Sequence, residues 1–123
     1  MKITNEHYIK YGENYGIFCY SYETQYNWGH KVKIYKNDRL VAENKITYYN
    51  RTWECYRYQS CILGAIYNLI EDRKQTLIDD YKLKTGKKRT TKEEKEIAIA
   101  DDPVIAEYDK MYDYFKNEYK GGY

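Results

Sequence analysis

Residues 61–81 have the sequence CILGAIYNLIEDRKQTLIDDY, in which apolar side chains recur every three and four positions. This interval places the apolar side chains along one face of an α-helix. We predict that the helix begins between Thr52 and Tyr56 and that Gly86 ends it, because glycine readily adopts the left-handed conformation of a helix C-terminus. A helix of this kind needs a second layer against which to bury its apolar face.

The preceding segment supplies that layer, because residues 15–48 have the two-residue alternation of β-strands. Aromatic and β-branched side chains dominate residues 15–26, and the alternation resumes at residues 31–35 and again at residues 40–47. We expect a turn at residues 27–30, so that three antiparallel strands follow one another along the chain.

The last two of these strands form a predicted hairpin. Asn37 and Asp38 lie between them, and both residue types tolerate the positive φ of a tight turn. Alternation through the final strand predicts that Leu40, Ala42 and Ile46 share one face.

Beyond the long helix, the sequence predicts two shorter ones. Thr90 and Thr91 each precede a glutamate by three residues, which is the pattern of a capping box. Asp102 and Pro103 have the pattern of an N-cap followed by proline in the first helical turn. Two helix starts this close together predict a C-terminal helical pair.

These patterns together predict an α+β fold. It consists of a three- to four-stranded antiparallel sheet packed by one long helix, with a C-terminal helical pair. The weaker pattern of residues 1–10 leaves open whether they add the fourth strand. A chain of 123 residues suits one domain, which we place at residues 1–123.

Tyrosine dominates the aromatic composition, with 18 residues against two Phe and two Trp. A tyrosine ring supplies apolar contact area while its hydroxyl needs a polar partner, so such rings suit surfaces that bind other molecules. Alternation places Tyr20, Tyr22 and Tyr26 on one strand face, with too many hydroxyls to be comfortably buried together. The predicted partner-binding residues are Tyr20, Tyr22 and Tyr26 on the sheet, Arg51 and Arg57 at the strand-to-helix junction, and Asp109 and Asp113 as phosphate-like acids on the last helix.

Charge is distributed unevenly along the chain, although the net charge is only +2. Residues 1–92 carry 17 Lys and Arg against 10 Asp and Glu, whereas residues 93–123 carry 4 against 9. The densest basic cluster is a candidate nucleic-acid-binding patch, and the alternative interpretation is a solvated loop whose lysines keep the protein soluble. We name as the basic cluster Lys82, Lys84, Lys87, Lys88, Arg89 and Lys92.

Motif spacing predicts no catalytic residue, no metal site and no cofactor. His7 and His30 are isolated, and adjacent acids such as those at residues 71–72 are typical of solvated helix faces. The cysteines, Cys19, Cys55 and Cys61, are odd in number and lack a CxxC spacing, so we interpret them as reduced structural thiols.

Two observations predict a cytoplasmic protein without a membrane partner. The sequence has no apolar run near the ~20 residues that span a bilayer. The polar residues 1–6 also lack the apolar core of a signal peptide.

The strand-to-helix junction resembles a pattern in small accessory proteins of phages and plasmids. It comprises Asn50-Arg51-Thr52-Trp53-Glu54, then Tyr58-Gln59-Ser60 and an apolar helix. Some small phage proteins of this general style are anti-CRISPR inhibitors. The resemblance covers about residues 39–70 and implies a mobile-element gene with a target in the host cytoplasm, without implying any catalytic residue.

The leading functional hypothesis is a non-enzymatic inhibitor that binds a host defence protein or nucleoprotein. Many anti-CRISPR proteins are strongly acidic DNA mimics, whereas this chain is mildly basic, so mimicry of a whole duplex does not fit it. The alternatives are a protein that binds single-stranded DNA or RNA, with a weak contact through the basic cluster, and a small nuclease or ligand-degrading enzyme.

Overall fold

Four antiparallel strands in chain order form the first half of the molecule. The computed structural model describes residues 1–49 and 58–119. Each strand pairs with the next one along the chain, so the sheet is a meander. Its strands are β1 (Lys2–Tyr11), β2 (Tyr15–Glu23), β3 (Asn27–Lys36) and β4 (Arg39–Tyr49).

The described residues contain three helices, which confirms the predicted α+β fold with one long helix and a C-terminal pair. They are α1 (Tyr58–Thr85), α2 (Lys92–Ile99) and α3 (Pro103–Asn117). The first strand settles the open question about residues 1–10 in favour of four strands.

The helix ends follow the predicted signals. Gly86, with φ of 71°, directly follows the last residue of α1. Thr91 and Glu94 form a reciprocal capping box at the start of α2. Asp102 caps α3 by accepting a hydrogen bond from the Ile105 amide at 3.0 Å. The predicted start of the first helix, between residues 52 and 56, lies outside the described residues.

The core lies between the sheet and α1. Helix α1 packs across β3 and β4 and also contacts α3. Ile62 and Ile66 from α1 are fully buried in the same cluster as Val32 and Ile34 from β3. Phe115 of α3 joins this cluster, so both helices bury their apolar faces against one side of the sheet.

An ion pair joins α1 to the start of α3. The Arg73 guanidinium donates to both carboxylate oxygens of Asp102, at 2.8 and 3.0 Å. These hydrogen bonds hold the pKa of the Asp102 carboxyl below its ordinary value. One carboxylate therefore fixes both the start of α3 and its position beside α1.

The predicted turn at residues 27–30 is wrong, because these residues begin β3. The chain reverses earlier, where the Thr24 amide donates to the Asn27 carbonyl at 2.8 Å. Trp28 packs against Tyr48 with ring centroids 4.3 Å apart, and His30 is buried. Burial of these rings outweighs the turn preference of the Asn and Gly in the segment.

The predicted common face of Leu40, Ala42 and Ile46 is also wrong at its first member. The register shifts between Ile34 and Tyr35, so Ala42 pairs with Ile34 while Leu40 pairs with Tyr35. A shift of this kind moves a side chain to the other face of the sheet, and Leu40 is 47% exposed.

Two of the three cysteines are free and buried, as their spacing predicts. Burial raises the pKa of the Cys19 thiol to about 12 and that of the Cys61 thiol to about 12. Cys61 comes from α1 and Cys19 from β2, so both thiols lie in the layer between helix and sheet. The third, Cys55, lies outside the described residues.

We predict that stability falls as the pH rises above 9. Both buried thiols remain protonated in the folded protein at pH 9 to 10, whereas in the unfolded chain they ionise near their ordinary value of 9.0. Ionisation of the unfolded chain then lowers the free energy of unfolding by up to about 1.4 kcal/mol per pH unit for each thiol. Urea unfolding in reducing buffer from pH about 8 to about 10 measures the slope. Cys61→Ala should reduce it, and an unchanged slope would contradict the assignment.

We also predict that Ile66→Asp unfolds the protein, because it places an unpaired charge in the helix–sheet core. Ile97→Asp is the matched control, since Ile97 is 66% exposed on α2 and substitutions at such sites change stability by about 0.5 kcal/mol or less. Thermal unfolding followed by circular dichroism compares the two variants. Equal melting temperatures would refute this placement of the core.

Candidate functional site

One face of the sheet is left without a helix in the described part of the chain. The buried cluster takes Ile17 and Cys19 from β2 and Val32 and Ile34 from β3, all of which point towards α1 and α3. Side chains alternate between faces along a strand, so the residues between them point the other way. These residues form the outer face of the sheet.

The strand register places aromatic rings beside lysines on this surface. Across the middle of the sheet, Tyr8 pairs with Phe18, Phe18 with Lys33, and Lys33 with Glu43. The rings of Phe18 and of its neighbour on the same strand, Tyr20, are 5.8 Å apart between centroids. A column of rings therefore runs along β2.

The next row across the sheet completes the basic part of the surface. Tyr20 pairs with Lys31 of β3, and Lys31 pairs with Lys45 of β4. Lys31 and Lys33 thus form a column on β3 beside the rings of β2, and Lys45 lies next to Lys31 on β4. We define the outer sheet surface by Tyr8, Phe18, Tyr20, Lys31, Lys33 and Lys45.

Charge on the outer sheet surface is predominantly positive. The Lys31 ammonium lies 3.3 Å from a carboxylate oxygen of Glu43, which is the only acid among the residues that the strand register pairs in these two rows. The Lys45 ammonium lies 4.9 Å from the centre of the Tyr22 ring, a cation–π distance. Lys33 makes no ion pair among the described residues, which leaves its ammonium available to an anionic ligand.

Glycines make room for two tyrosine rings on this face. The ring of Tyr8 lies where a Cβ of Gly16 would be, and the ring of Tyr22 lies beside Gly29. The Tyr22 hydroxyl also hydrogen-bonds the Thr47 hydroxyl. Tyr22 is consequently only 5% exposed, so its ring packs within the sheet and offers little contact area to a partner.

Two shallow depressions lie on this face. One, of about 380 Å³, is lined by Tyr20 and Lys45 among others. The second, of about 360 Å³, is lined by Tyr8, Lys10 and Tyr35 among others. The first depression therefore combines aromatic and basic side chains, whereas the second also includes the acids Glu13 and Asp38.

The structure separates the predicted partner-binding residues. Tyr20 and Tyr22 lie on the sheet, and Tyr26 is 79% exposed in the turn before β3. Asp109 and Asp113 are exposed on α3, in the helical layer. The structure does not bring these two groups together. Arg51 and Arg57, the remaining candidates, lie outside the described residues.

The basic cluster lies in the last turn of α1, in the segment that follows it and at the first residue of α2, also away from the outer sheet surface. The Lys87 ammonium is 2.6 Å from a carboxylate oxygen of Glu94, and this hydrogen bond raises the pKa of the lysine. The other members are largely exposed: Lys84, Lys88, Arg89 and Lys92, with Lys82 half-buried.

Lys31, Lys33 and Lys45 were not among the residues singled out from the sequence, and neither was Tyr8. The alternation of residues 31–35 implies that Lys31 and Lys33 point away from the core. Their place beside the β2 rings depends on strand register, which that alternation leaves open.

A buried polar group lies on the opposite face of the sheet. The Ser21 hydroxyl lies 3.1 Å from His30 Nδ1 and also hydrogen-bonds the Tyr58 hydroxyl. His30 is 8% exposed and Tyr58 is 1% exposed. These contacts tie two strands to the first turn of α1, where a substrate has little access.

Comparison with protein-family models, with curated proteins and with solved structures finds no match for this chain. Within residues 1–49 and 58–119, no group of three or more His, Cys, Asp or Glu side chains is placed to hold a metal ion. No helix described here has both the length and the apolar character needed to cross a membrane.

We predict opposite tolerance of alanine at the two glycines that face the tyrosine rings. A Cβ at Gly29 would overlap the backbone carbonyl oxygen of Ile46 and lie 2.6 Å from the Tyr22 hydroxyl, so Gly29→Ala should destabilise the protein by about 1–3 kcal/mol. A Cβ at Gly16 meets only the end of the Tyr8 side chain, which can rotate because it is 60% exposed.

Urea unfolding of both variants measures the difference. Gly16→Ala should remain close to the unmodified protein in stability. Equal losses in the two variants would show that the Tyr22 side of the sheet is no more tightly packed than the Tyr8 side.

Proposed function

We propose that this protein is a non-enzymatic inhibitor that binds a host defence protein or nucleoprotein in the cytoplasm of the host. The observation that carries the proposal is the outer sheet surface, where aromatic rings lie beside lysines without a covering helix in the described chain. Aromatic side chains dominate the binding energy of many interfaces, and complementary charge accelerates association.

The chemistry of this surface supports binding more than catalysis. Its two rows present rings, ammonium groups and the single carboxylate of Glu43, which already pairs with Lys31. Rings provide contact area at small entropic expense, and ammonium groups attract anions. The phage-like junction around residues 50–60 adds a reason to expect that the target belongs to a host defence system.

The test of the proposal is plasmid transformation of bacterial strains that each carry one active CRISPR interference system. Expression of the protein should restore transformation in at least one strain. Tyr20→Ala should abolish the effect because it removes a ring from the surface. Tyr67→Ala is the matched control, because Tyr67 is 57% exposed on α1 and lies outside the surface. Failure in every strain would contradict the proposal.

We predict stoichiometric inhibition of the purified target. A binding inhibitor occupies its target without turnover, so activity should reach its minimum at about one equivalent of protein. Titration at target concentrations well above Kd measures the end point. Complete inhibition at far below one equivalent would indicate an enzyme and overturn the proposal.

A further inference from the structure

We infer that the outer sheet surface binds a single strand of nucleic acid, with bases stacked on the rings of β1 and β2 and phosphates along the lysines of β3 and β4. The inference rests on the proposed function, since it names the component of a nucleoprotein that this surface contacts. Charge complementarity, the exposed ring of Tyr8 and the half-buried rings of Phe18 and Tyr20 identify the occupant.

The spacing of the rings suits an extended strand. The centroids of Phe18 and Tyr20 are 5.8 Å apart, whereas stacked bases in a duplex rise by ~3.4 Å. Each ring would therefore stack with one base of a strand whose bases are separated. Tyr8, 60% exposed and paired with Phe18 across the sheet, offers a third ring.

The lysines lie at the right place for the phosphates. Lys33 is the cross-strand neighbour of Phe18, and Lys31 is that of Tyr20. Neighbouring strands are about 4.8 Å apart, so a lysine side chain of β3 can reach a phosphate that lies beside a ring of β2. Lys45, on β4, adds a further positive charge beside Lys31.

A single strand can contact both the rings and the lysines of this surface, whereas a duplex can contact only the lysines. Bases of a duplex are stacked on one another and their faces are inaccessible, so a duplex would contact the lysines alone. An acidic protein would likewise satisfy the lysines without making use of the rings, whose planes at Phe18 and Tyr20 are inclined at 48°. The combination of rings and cations therefore favours single-stranded DNA or RNA.

The basic cluster is the competing location for such a ligand. Glu94 pairs with Lys87, and Glu93 is a further acid in the first turn of α2. The nearby Tyr81 directs its hydroxyl to Glu94 at 3.3 Å. That region offers cations beside acids, and the hydroxyl of Tyr81 is engaged locally by Glu94.

The experiment measures fluorescence anisotropy of fluorescein-labelled oligo-dT and oligo-rU of about 15 nucleotides, near 150 mM salt. We expect micromolar Kd values, and comparison of the two probes distinguishes DNA from RNA. Tyr20→Ala and Tyr8→Ala should each weaken binding roughly tenfold, the effect of losing one stacked base. Tyr67→Ala is the control for the loss of an exposed ring.

A salt titration tests the lysines. Lys33→Ala combined with Lys45→Ala should reduce the slope of log Kd against log salt by roughly 1.4, since each phosphate contact with a single strand contributes about 0.7. Lys87→Ala combined with Lys88→Ala should leave the slope unchanged. Thermal unfolding of every variant confirms that the fold is intact.

Three results would overturn the inference. The first is that neither probe binds, and the second is that a duplex of the same length binds with equal affinity. The third is that the variant with Lys87→Ala and Lys88→Ala loses binding while Tyr20→Ala still binds. Absent oligonucleotide binding together with Tyr20-dependent inhibition in the transformation assay would leave the proposed function standing with a protein as the contact. Oligonucleotide binding without inhibition in any strain would instead leave a direct nucleic-acid-binding protein.

Discussion

The apolar face of α1 can be buried only against the sheet, and the rest of the structure follows from that constraint. Ile62 and Ile66 are fully buried in one cluster with Val32 and Ile34. A two-layer arrangement of this kind buries one face of the sheet and leaves the other to solvent unless a further element covers it. In the described chain the helices stay on the buried side, so the composition of the outer face is free to serve binding.

Tyrosine and lysine meet the physical demands of that open face. An antiparallel strand needs side chains that pack across the sheet, while a solvated face needs polar groups. A tyrosine ring satisfies both, as Tyr22 does by packing beside Gly29 and hydrogen-bonding Thr47. Lysines beside such rings extend their stems over the sheet and keep their charges in water. The high tyrosine content is thus partly structural, and the rings that remain exposed are the ones available to a ligand.

The sequence predicts the fold class well because its signals are local. The change from alternation to three-and-four spacing, the capping residues Thr91 and Asp102, and Gly86 after α1 each depend on neighbours close in the chain. The two incorrect predictions, the turn at residues 27–30 and the face of Leu40, depend on contacts between residues that are distant in the chain. Trp28 extends β3 because it packs on Tyr48, and Leu40 changes face because the register shifts. The sequence did not identify the lysines of the outer sheet surface for the same reason, because strand register decides which residues lie side by side across the sheet.

The lysines of the outer sheet surface and the exposed acids of α3 lie in different layers of the molecule. Lys31, Lys33 and Lys45 lie on the outer sheet surface, whereas Asp109 and Asp113 are exposed on α3 in the other layer. A net charge of only +2 conceals this separation. An approaching polyanion would be attracted by these lysines and also by the basic cluster in the helical layer, so charge alone does not direct it to the sheet. The rings beside Lys31 and Lys33 distinguish the outer sheet surface from the basic cluster, and an anionic ligand bound there would lie away from Asp109 and Asp113.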